Sequence, residues 1–526
     1  MAPRIKVAPL PEDLLSAYLV MTANVVGRFH ENEERQDIAS PFLDEPFAHV
    51  YVGDEEVVDF AFGRARQAQQ RWAETPIKTR QQIFRDFHDR VLKNRELLVD
   101  IVQMETGKNR LSALDEVLDV VSNARFYANA APRLLKEKPM PGAIPGLTRS
   151  KLQRTPKGVV GQISPWNYPL ALGISDAIPA LLAGNAVVAK PDSQTPFSLL
   201  SVLRLLYESG LPRDLMQVVT GSGRVVGSAI ANNCDYLMFT GSTATGRVLG
   251  KTAGERLIGF SAELGGKNPL LISADADLDR SIREAISACF SNSGQLCVSI
   301  ERIYVEEAIY DEFVSRFGTA VNNMRLASGF DWDADMGSLI NADQLETVET
   351  FVENAKEKGA RVLAGGRTRP ELGRFFFEPT VLVDVPNDAD LYCDEVFGPV
   401  VFIEKVANLD EAIAKANDTS YGLNAAVFAE SETGWKAAGK LLAGGVGIND
   451  GYTATWATVA SPLGGMKDSG VARRHGDEGM LKYTEPRNVA EQRGISMRGP
   501  ASLPRKTYGT LMANAMLWGK KLKFLP

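Results

Sequence analysis

The chain has 526 residues, 58 Lys and Arg against 65 Asp and Glu, a formal charge of -7 and a pI near 5.5. That length exceeds one ordinary core and predicts two or three domains, while 44% hydrophobic and 8% aromatic residues argue against disorder. The acidic balance argues against a nucleic-acid partner, which needs a concentrated basic surface.

The cysteines are Cys234, Cys289, Cys297 and Cys393, with no CxxC pair among them. They read as reduced thiols in a cytoplasmic protein. The histidines, His30, His49, His88 and His475, are scattered. A histidine metal site and a Ser-His hydrolase are therefore poorly supplied, and no metal is expected.

In chain order, Leu14 to Val26 follows Glu12 and Asp13 and reads as an amphipathic helix rather than a signal peptide. Residues 55–137 read as successive helices, with Ile83, Phe84, Phe87, Val91 and Leu92 at three- and four-residue spacing. Pro139, Pro141, Gly142, Pro145 and Gly146 then break the pattern. Next come apolar runs at 159–163, 186–189, 217–220, 236–240 and 257–264, separated by helix candidates at 170–183, 197–209, 224–232 and 243–253. Buried strands alternating with helices predict a doubly wound parallel sheet. A second alternation begins at Asn268, with strands near 270–272 and 303–305 and a helix at 278–290. It predicts a second α/β domain. No stretch reaches the roughly 18 apolar residues of a membrane span. The tail from Arg505 to Phe524 mixes Met512, Met516, Leu517 and Trp518 with Arg505, Lys506, Lys520, Lys521 and Lys523. A membrane surface is one possible partner for it, and a neighbouring subunit is the preferred one.

Open α/β sheets bind ligands at the carboxyl ends of their strands. Those ends carry Ser164-Pro165-Trp166-Asn167-Tyr168-Pro169, Lys190-Pro191 and Thr240-Gly241-Ser242. Ser242 is placed to cap a helix whose free N–H groups face a pyrophosphate, although an ordinary cap has the same appearance. Lys190 belongs at the sheet rim, where a ribose or phosphate would lie. Phe290-Ser291-Asn292-Ser293-Gly294-Gln295-Leu296-Cys297 puts a thiol in a short loop after a helix. Taken alone it is as readily a small buried hydrophobe. Glu263, ending an apolar strand before Gly265-Gly266-Lys267, is an ionisable group that burial would penalise unless it works or is paired.

With these segments together, the chain resembles the aldehyde dehydrogenase superfamily from about residue 40 to 493. The motifs are Pro165-Trp166-Asn167-Tyr168-Pro169, Lys190-Pro191, Phe239-Thr240-Gly241-Ser242, Glu263-Leu264-Gly265-Gly266-Lys267, Gly294-Gln295-Leu296-Cys297 and Glu395-Val396-Phe397-Gly398-Pro399. The resemblance implies a Rossmann-like doubly wound cofactor domain (41–140 and 159–266) and a second α/β catalytic domain (267–481). It also implies a β-strand oligomerisation arm (141–158 and 482–493), with extensions at 1–40 and 494–526. A homodimer or homotetramer acting on a small aldehyde would follow. By the same resemblance Cys297 is the nucleophile, Asn167 an oxyanion donor and Glu263 the deacylating base. Ser164, Trp166, Lys190, Ser193, Gly223, Gly241, Ser242, Glu395 and Phe397 match cofactor contacts.

Many NAD-preferring relatives carry Glu where this chain has Ser193, so NADP or NAD is expected with NADP favoured; Asp192 next door is the opposing feature. The wording of the motifs is similar to the NADP-linked succinate-semialdehyde dehydrogenase group, especially its second type. Well-known members of that activity class have arginines where this chain has Ser175 and Ser291. The distal carboxylate then needs another cation, such as Arg125 on a channel-lining helix. Tyr168, Tyr452 and Trp456 complete the expected substrate wall. Succinate semialdehyde is the first expectation, with medium-chain or aromatic aldehydes as the alternative. A non-catalytic member of the fold and an acyl-transferring dehydrogenase are the rival classes.

Overall fold

A computed structural model describes residues 34–142, 148–493 and 498–520. The expected helix at Leu14–Val26, the Pro145-Gly146 turn, and Lys521 and Lys523 lie outside the described residues.

Four helices, Glu55–Glu74, Ile77–Lys93, Arg95–Thr106 and Arg110–Leu135, form the first layer. Asp54 caps the first of them by accepting from the Val57 N–H at 2.9 Å. The 3.6-residue period turns Phe84, Phe87 and Val91 onto one buried stripe of the second. These helices share a single core with a six-stranded sheet of order 470–471, 259–263, 236–240, 159–163, 186–190, 216–218. All pairings inside it are parallel except that of Gly470–Val471 with Gly259–Glu263. The chain leaves Val159–Ile163 toward one edge and returns to its other side at Tyr236–Thr240. The carboxyl ends of those two neighbours flank the switch point, where such sheets hold ligands.

A seven-stranded sheet follows in the order 361–364, 380–383, 400–406, 300–306, 268–272, 424–428, 445–448. Only its first pair is antiparallel. A third sheet joins Lys138–Met140, Thr148–Pro156 and Thr484–Gln492. The last of these strands is exposed over all but its first residue.

Several boundaries differ from the sequence reading. The helix expected at 170–183 is two helices, Pro169–Ile174 and Ala177–Leu182. Pro179 cannot donate to the carbonyl of Ser175 and its ring crowds that position, so the coil breaks there. The helix expected at 224–232 begins as a wide turn, Gly223–Gly227, before Ser228–Asn233. Lys138–Met140 pairs with Thr148–Pro156 rather than joining the six-stranded sheet, and Gly470–Val471, expected in the second domain, pairs with Gly259–Glu263 of that sheet. Arg35–Ile38, assigned to the N-terminal extension, pairs with Ala48–Tyr51. Among the described residues no helix is long and apolar enough to cross a membrane. Helix Arg505–Gly519 stands largely exposed.

Candidate active site

Cys297 lies just before strand Ile300–Glu306, on a loop that its sequence would not hold unaided. Asn292, Ser293 and Gly294 have φ of 51°, 57° and 70°, three successive residues in the left-handed region. For the two non-glycines this costs energy, and side-chain bonds pin the run. Asn292 Nδ2 donates to the carbonyls of Gln295 (2.9 Å) and Asn167 (3.0 Å), Ser293 Oγ to that of Gly337 (3.1 Å), and the Ile340 N–H to Gln295 Oε1 (3.0 Å). Gly294 is required twice over, because a Cβ there would sit 2.1 Å from the Gly398 carbonyl oxygen. Cys297 is half-buried, Cys234 and Cys289 are buried, and Cys393 is exposed on a short helix.

Asn167 is buried beside this loop, its amide donating to the Gln295 carbonyl at 3.1 Å. Glu263 ends its strand 6% exposed, and a Cβ on Gly464 would fall 2.7 Å from its Oε1. Burial pushes its carboxyl up to about 7, although Arg474 and Lys482 nearby pull the other way. Lys267, four residues on from Glu263, is paired with Glu301 at 2.5 Å. Glu301 also accepts from the N–H groups of Val396 and Phe397, both at 3.1 Å, and so holds the loop that carries Glu395. Glu395 accepts from the Gly266 N–H at 2.9 Å, and burial followed by Glu301 lifts it to about 8. Burial first, then the Glu395 and Glu263 carboxylates, push the Cys297 thiol up to about 12.

Asn167, Glu263, Cys297, Glu395, Trp166 and Phe397 line one cavity of about 250 Å³, together with Gly241 and Ser242. The Trp166 and Phe397 rings meet edge to face at 5.4 Å. Ser242 caps helix Thr243–Glu255, accepting from the Thr245 N–H at 3.3 Å. Ser164, Lys190, Ser193 and Gly223 are not part of that lining and lie farther along the same sheet edge. Lys190, 4% exposed, donates to the Pro191 carbonyl at 2.9 Å, and the Ser164 N–H donates to the Lys190 carbonyl. Ser193 Oγ donates to the Gly221 carbonyl at 2.9 Å, and a Cβ on Gly223 would meet nothing within 4 Å.

A second cavity, of about 140 Å³, lies on the other side of the Cys297 loop. Tyr168, Tyr452, Trp456 and Leu296 line it, and Cys297 packs against the apolar group that contains Tyr168 and Leu296. Helix Arg110–Leu135 adds Asp115, Leu118, Asp119 and Ser122, which share one face at helical spacing. Arg125 follows about one turn later and is exposed, outside that lining. Among the described residues no lysine or arginine lines this cavity. Ser175, at one position where an arginine was sought, donates to Asp119 at 2.6 Å, and Trp456 Nε1 donates to the same carboxylate at 2.9 Å. Ser291, at the other, donates to the Ser287 carbonyl at 2.7 Å.

Sequence reasoning missed Asp115, Asp119, Glu301 and the buried Lys108. For the two aspartates a signal existed: they recur at four-residue spacing on one helix face.

The pattern of the Aldehyde dehydrogenase family matches residues 29–489. A protein of Mycolicibacterium smegmatis, provisionally named succinate-semialdehyde dehydrogenase (NADP+), is 53% identical, covering 92% of this chain and 93% of its own. The crystal structure of an NADP-dependent enzyme of E. coli superposes with a TM-score of 0.85 at 33% identity, covering 89% of this chain and 97% of its own. Betaine aldehyde dehydrogenase of Staphylococcus aureus, in complex with NAD+, gives 0.83 at 33% identity, over 89% and 93%. With its two α/β sheets and the cysteine, amide and carboxylates gathered at their junction, the chain belongs to the aldehyde dehydrogenase family.

Proposed function

We propose that this chain oxidises an aldehyde to its carboxylic acid by a cysteine thioester route, with NADP or NAD as hydride acceptor. The observation that carries the reading is the convergence of Cys297, Asn167, Glu263 and Glu395 on one cavity from four distant segments. Cys297 gives up its thiol proton to solvent water, its sulfur attacks the carbonyl carbon as the thiolate, and the oxygen takes up the C=O electron pair as an oxyanion. The free N–H of the Asn167 amide and the Cys297 backbone N–H stabilise that charge, each worth about 2.7–4 kcal/mol. Loss of hydride from the carbon leaves a thioester on Cys297. Glu263 then takes a proton from water, whose oxygen displaces the sulfur and releases the acid.

The residues fit a nicotinamide dinucleotide. A capped helix N-terminus faces the cavity, a buried lysine ends the strand two places along the same sheet, and a half-buried carboxylate, Glu395, sits against Gly266. Lys190 and Ser193 would hold the adenosine ribose end, and Glu395 with Phe397 the nicotinamide end. When bound, the dinucleotide supplies the hydride acceptor. Asp192 turns back on its own loop, accepting from the Gln194 N–H at 2.9 Å, which supports tolerance of a 2′-phosphate. The exposed edge of the arm sheet supports a homo-oligomer.

Because Glu263 must be ionised to act as a base, acid release is expected to fall as pH drops through about 7. Steady-state acid formation followed from pH 5 to pH 9 checks this. A profile flat across that range removes Glu263 from the role.

For the substrate, the second cavity supports an uncharged medium-chain or aromatic aldehyde. Its walls are aromatic and aliphatic, its charged members are two carboxylates, and a distal carboxylate there would lose hydration without gaining a cation. Succinate semialdehyde stands as the second reading, favoured by the motif wording and by the provisional name of the 53%-identical relative. Octanal and benzaldehyde are expected to exceed succinate semialdehyde in kcat/KM by about 10- to 100-fold. The panel is run with both dinucleotides, with NADP expected to match or exceed NAD. A preference for the semialdehyde selects the second reading, and strict NAD use defeats the cofactor assignment.

A further inference from the structure

Helix Arg95–Thr106 stops at Gly107, with φ of +73°, and the chain there turns Lys108 inward. The Lys108 and Glu116 side chains are both fully buried, and none of the chemistry above uses them. Lys108 Nζ donates to Glu116 Oε1 at 2.7 Å and to the main-chain carbonyl of Asn167 at 2.6 Å. It also lies 3.9 Å from the centre of the Tyr168 ring. Glu116 Oε2 accepts from the N–H groups of Leu170 and Ala171, at 2.8 and 3.0 Å. Between Asn167 and Ala171 only Pro169, which has no N–H to offer, is not touched by the pair.

This stretch joins a strand to a six-residue helix whose own bonds reach the Tyr168 and Ala171 carbonyls, while the Asn167 carbonyl and the Leu170 and Ala171 N–H groups take side-chain partners. On the far side Asn292 Nδ2 reaches the same Asn167 carbonyl, tying it to the Cys297 loop. The Asn167 side chain spends one N–H on the Gln295 carbonyl, and its second remains for an oxyanion. A buried ion pair is seldom the most stabilising way to fill such a space, since apolar residues of similar volume often do as well. What it offers here is direction, because each hydrogen bond has a fixed length and angle.

We propose that Lys108 and Glu116 are a positioning pair that aims the Asn167 amide at the oxyanion and sets the Tyr168 ring against the substrate cavity, while touching neither substrate nor cofactor. The inference rests on the role proposed for Asn167. A displacement of about 1 Å at such a donor costs about 10²-fold in rate.

The test is a double-mutant cycle on the full-length protein with octanal and NADP. Lys108→Met and the charge-neutral Lys108→Met/Glu116→Gln variant are each made in the native and Asn167→Ala backgrounds. Stopped-flow absorbance reads the hydride burst, and thermal unfolding reads stability. In the native background the burst is expected to slow by about 10²-fold with KM changed much less. With Asn167→Ala already in place, the same change is expected to do almost nothing further, because the donor it aims is gone. Equal losses in both backgrounds assign the pair to structure alone and overturn the proposal. So does a folded charge-neutral variant with a native burst. If Lys108→Met does not fold, the charge-neutral variant, which leaves no lone buried charge, decides between these outcomes. An Asn167→Ala protein that bursts at the native rate instead sinks the oxyanion role, and the pair's role with it.

Discussion

Replacing Cys297 by alanine is expected to abolish both the first hydride transfer and steady turnover, lowering kcat/KM by about 10⁵-fold or more. The fold should survive, because the loop around Cys297 is held by Asn292, Ser293 and Gln295 rather than by the thiol. Alanine removes one sulfur from a half-buried position that opens on a cavity, so its cost in packing is small. The measurement is a stopped-flow record of reduced dinucleotide alongside a thermal melt. A variant that melts normally and retains a few per cent of the burst assigns the nucleophile elsewhere. The native protein tested in parallel settles the non-catalytic alternative, which requires that it too show no burst.

Glu263→Gln is expected to separate the two halves of the reaction. Glutamine keeps the shape of the side chain and cannot take a proton from water. Hydride transfer should therefore still occur once, giving a burst of about one reduced dinucleotide per chain, after which turnover falls by about 10²- to 10⁴-fold. Acid quench and mass measurement should then find the acyl group on Cys297. Arg474 and Lys482 keep Asp176 as a partner after the substitution, so no cation is left stranded. The same experiment addresses the acyl-transfer alternative. A native enzyme that forms acid only when coenzyme A or phosphate is added, with a Glu263→Gln variant no slower, would show that hydrolysis is the wrong reaction.

Short-range information accounts for much of what the sequence reading captured. The runs at 159–163 and 236–240 appear as strands with those bounds, and the helix expected at 278–290 is Leu278–Phe290. A parallel strand buried on both faces is a continuous apolar run, and a capped helix announces its start, so both are written locally. Asp277 does this for Leu278–Phe290 by accepting from the Arg280 N–H at 3.0 Å. The left-handed run at Asn292–Gly294 was not legible in this way. Its conformation is imposed by Gly337, Ile340, Gly398 and Asn167, which are distant in the chain and meet the loop only in the tertiary structure. Gly470–Val471 was missed for a related reason. A two-residue strand carries no periodicity, and it exists because Glu263 and Ala262 present an edge to pair with.

The substrate side shows the same division. Tyr168, Tyr452 and Trp456 were expected to form a substrate wall, and the three line one cavity. Arg125 was assigned from the need for a cation on the right helix, and the cavity ends about one turn short of it. On an α-helix three residues advance about 4.5 Å, enough to carry a side chain from a cavity wall to solvent.

By itself the sequence determined the family and the two α/β layers and singled out the thiol, amide and carboxylate that meet at one cavity, because motif residues and strand runs depend on neighbours in the chain. Only the tertiary structure decided that the cavity of Tyr168, Tyr452 and Trp456 has two carboxylates and, among the described residues, no cation in its lining, that Lys267 belongs to Glu301, and that Lys108 grips the Asn167 backbone. Those outcomes depend on which distant side chains share a low-dielectric space, where pairing and hydration compete over a few ångströms and no local pattern records the winner.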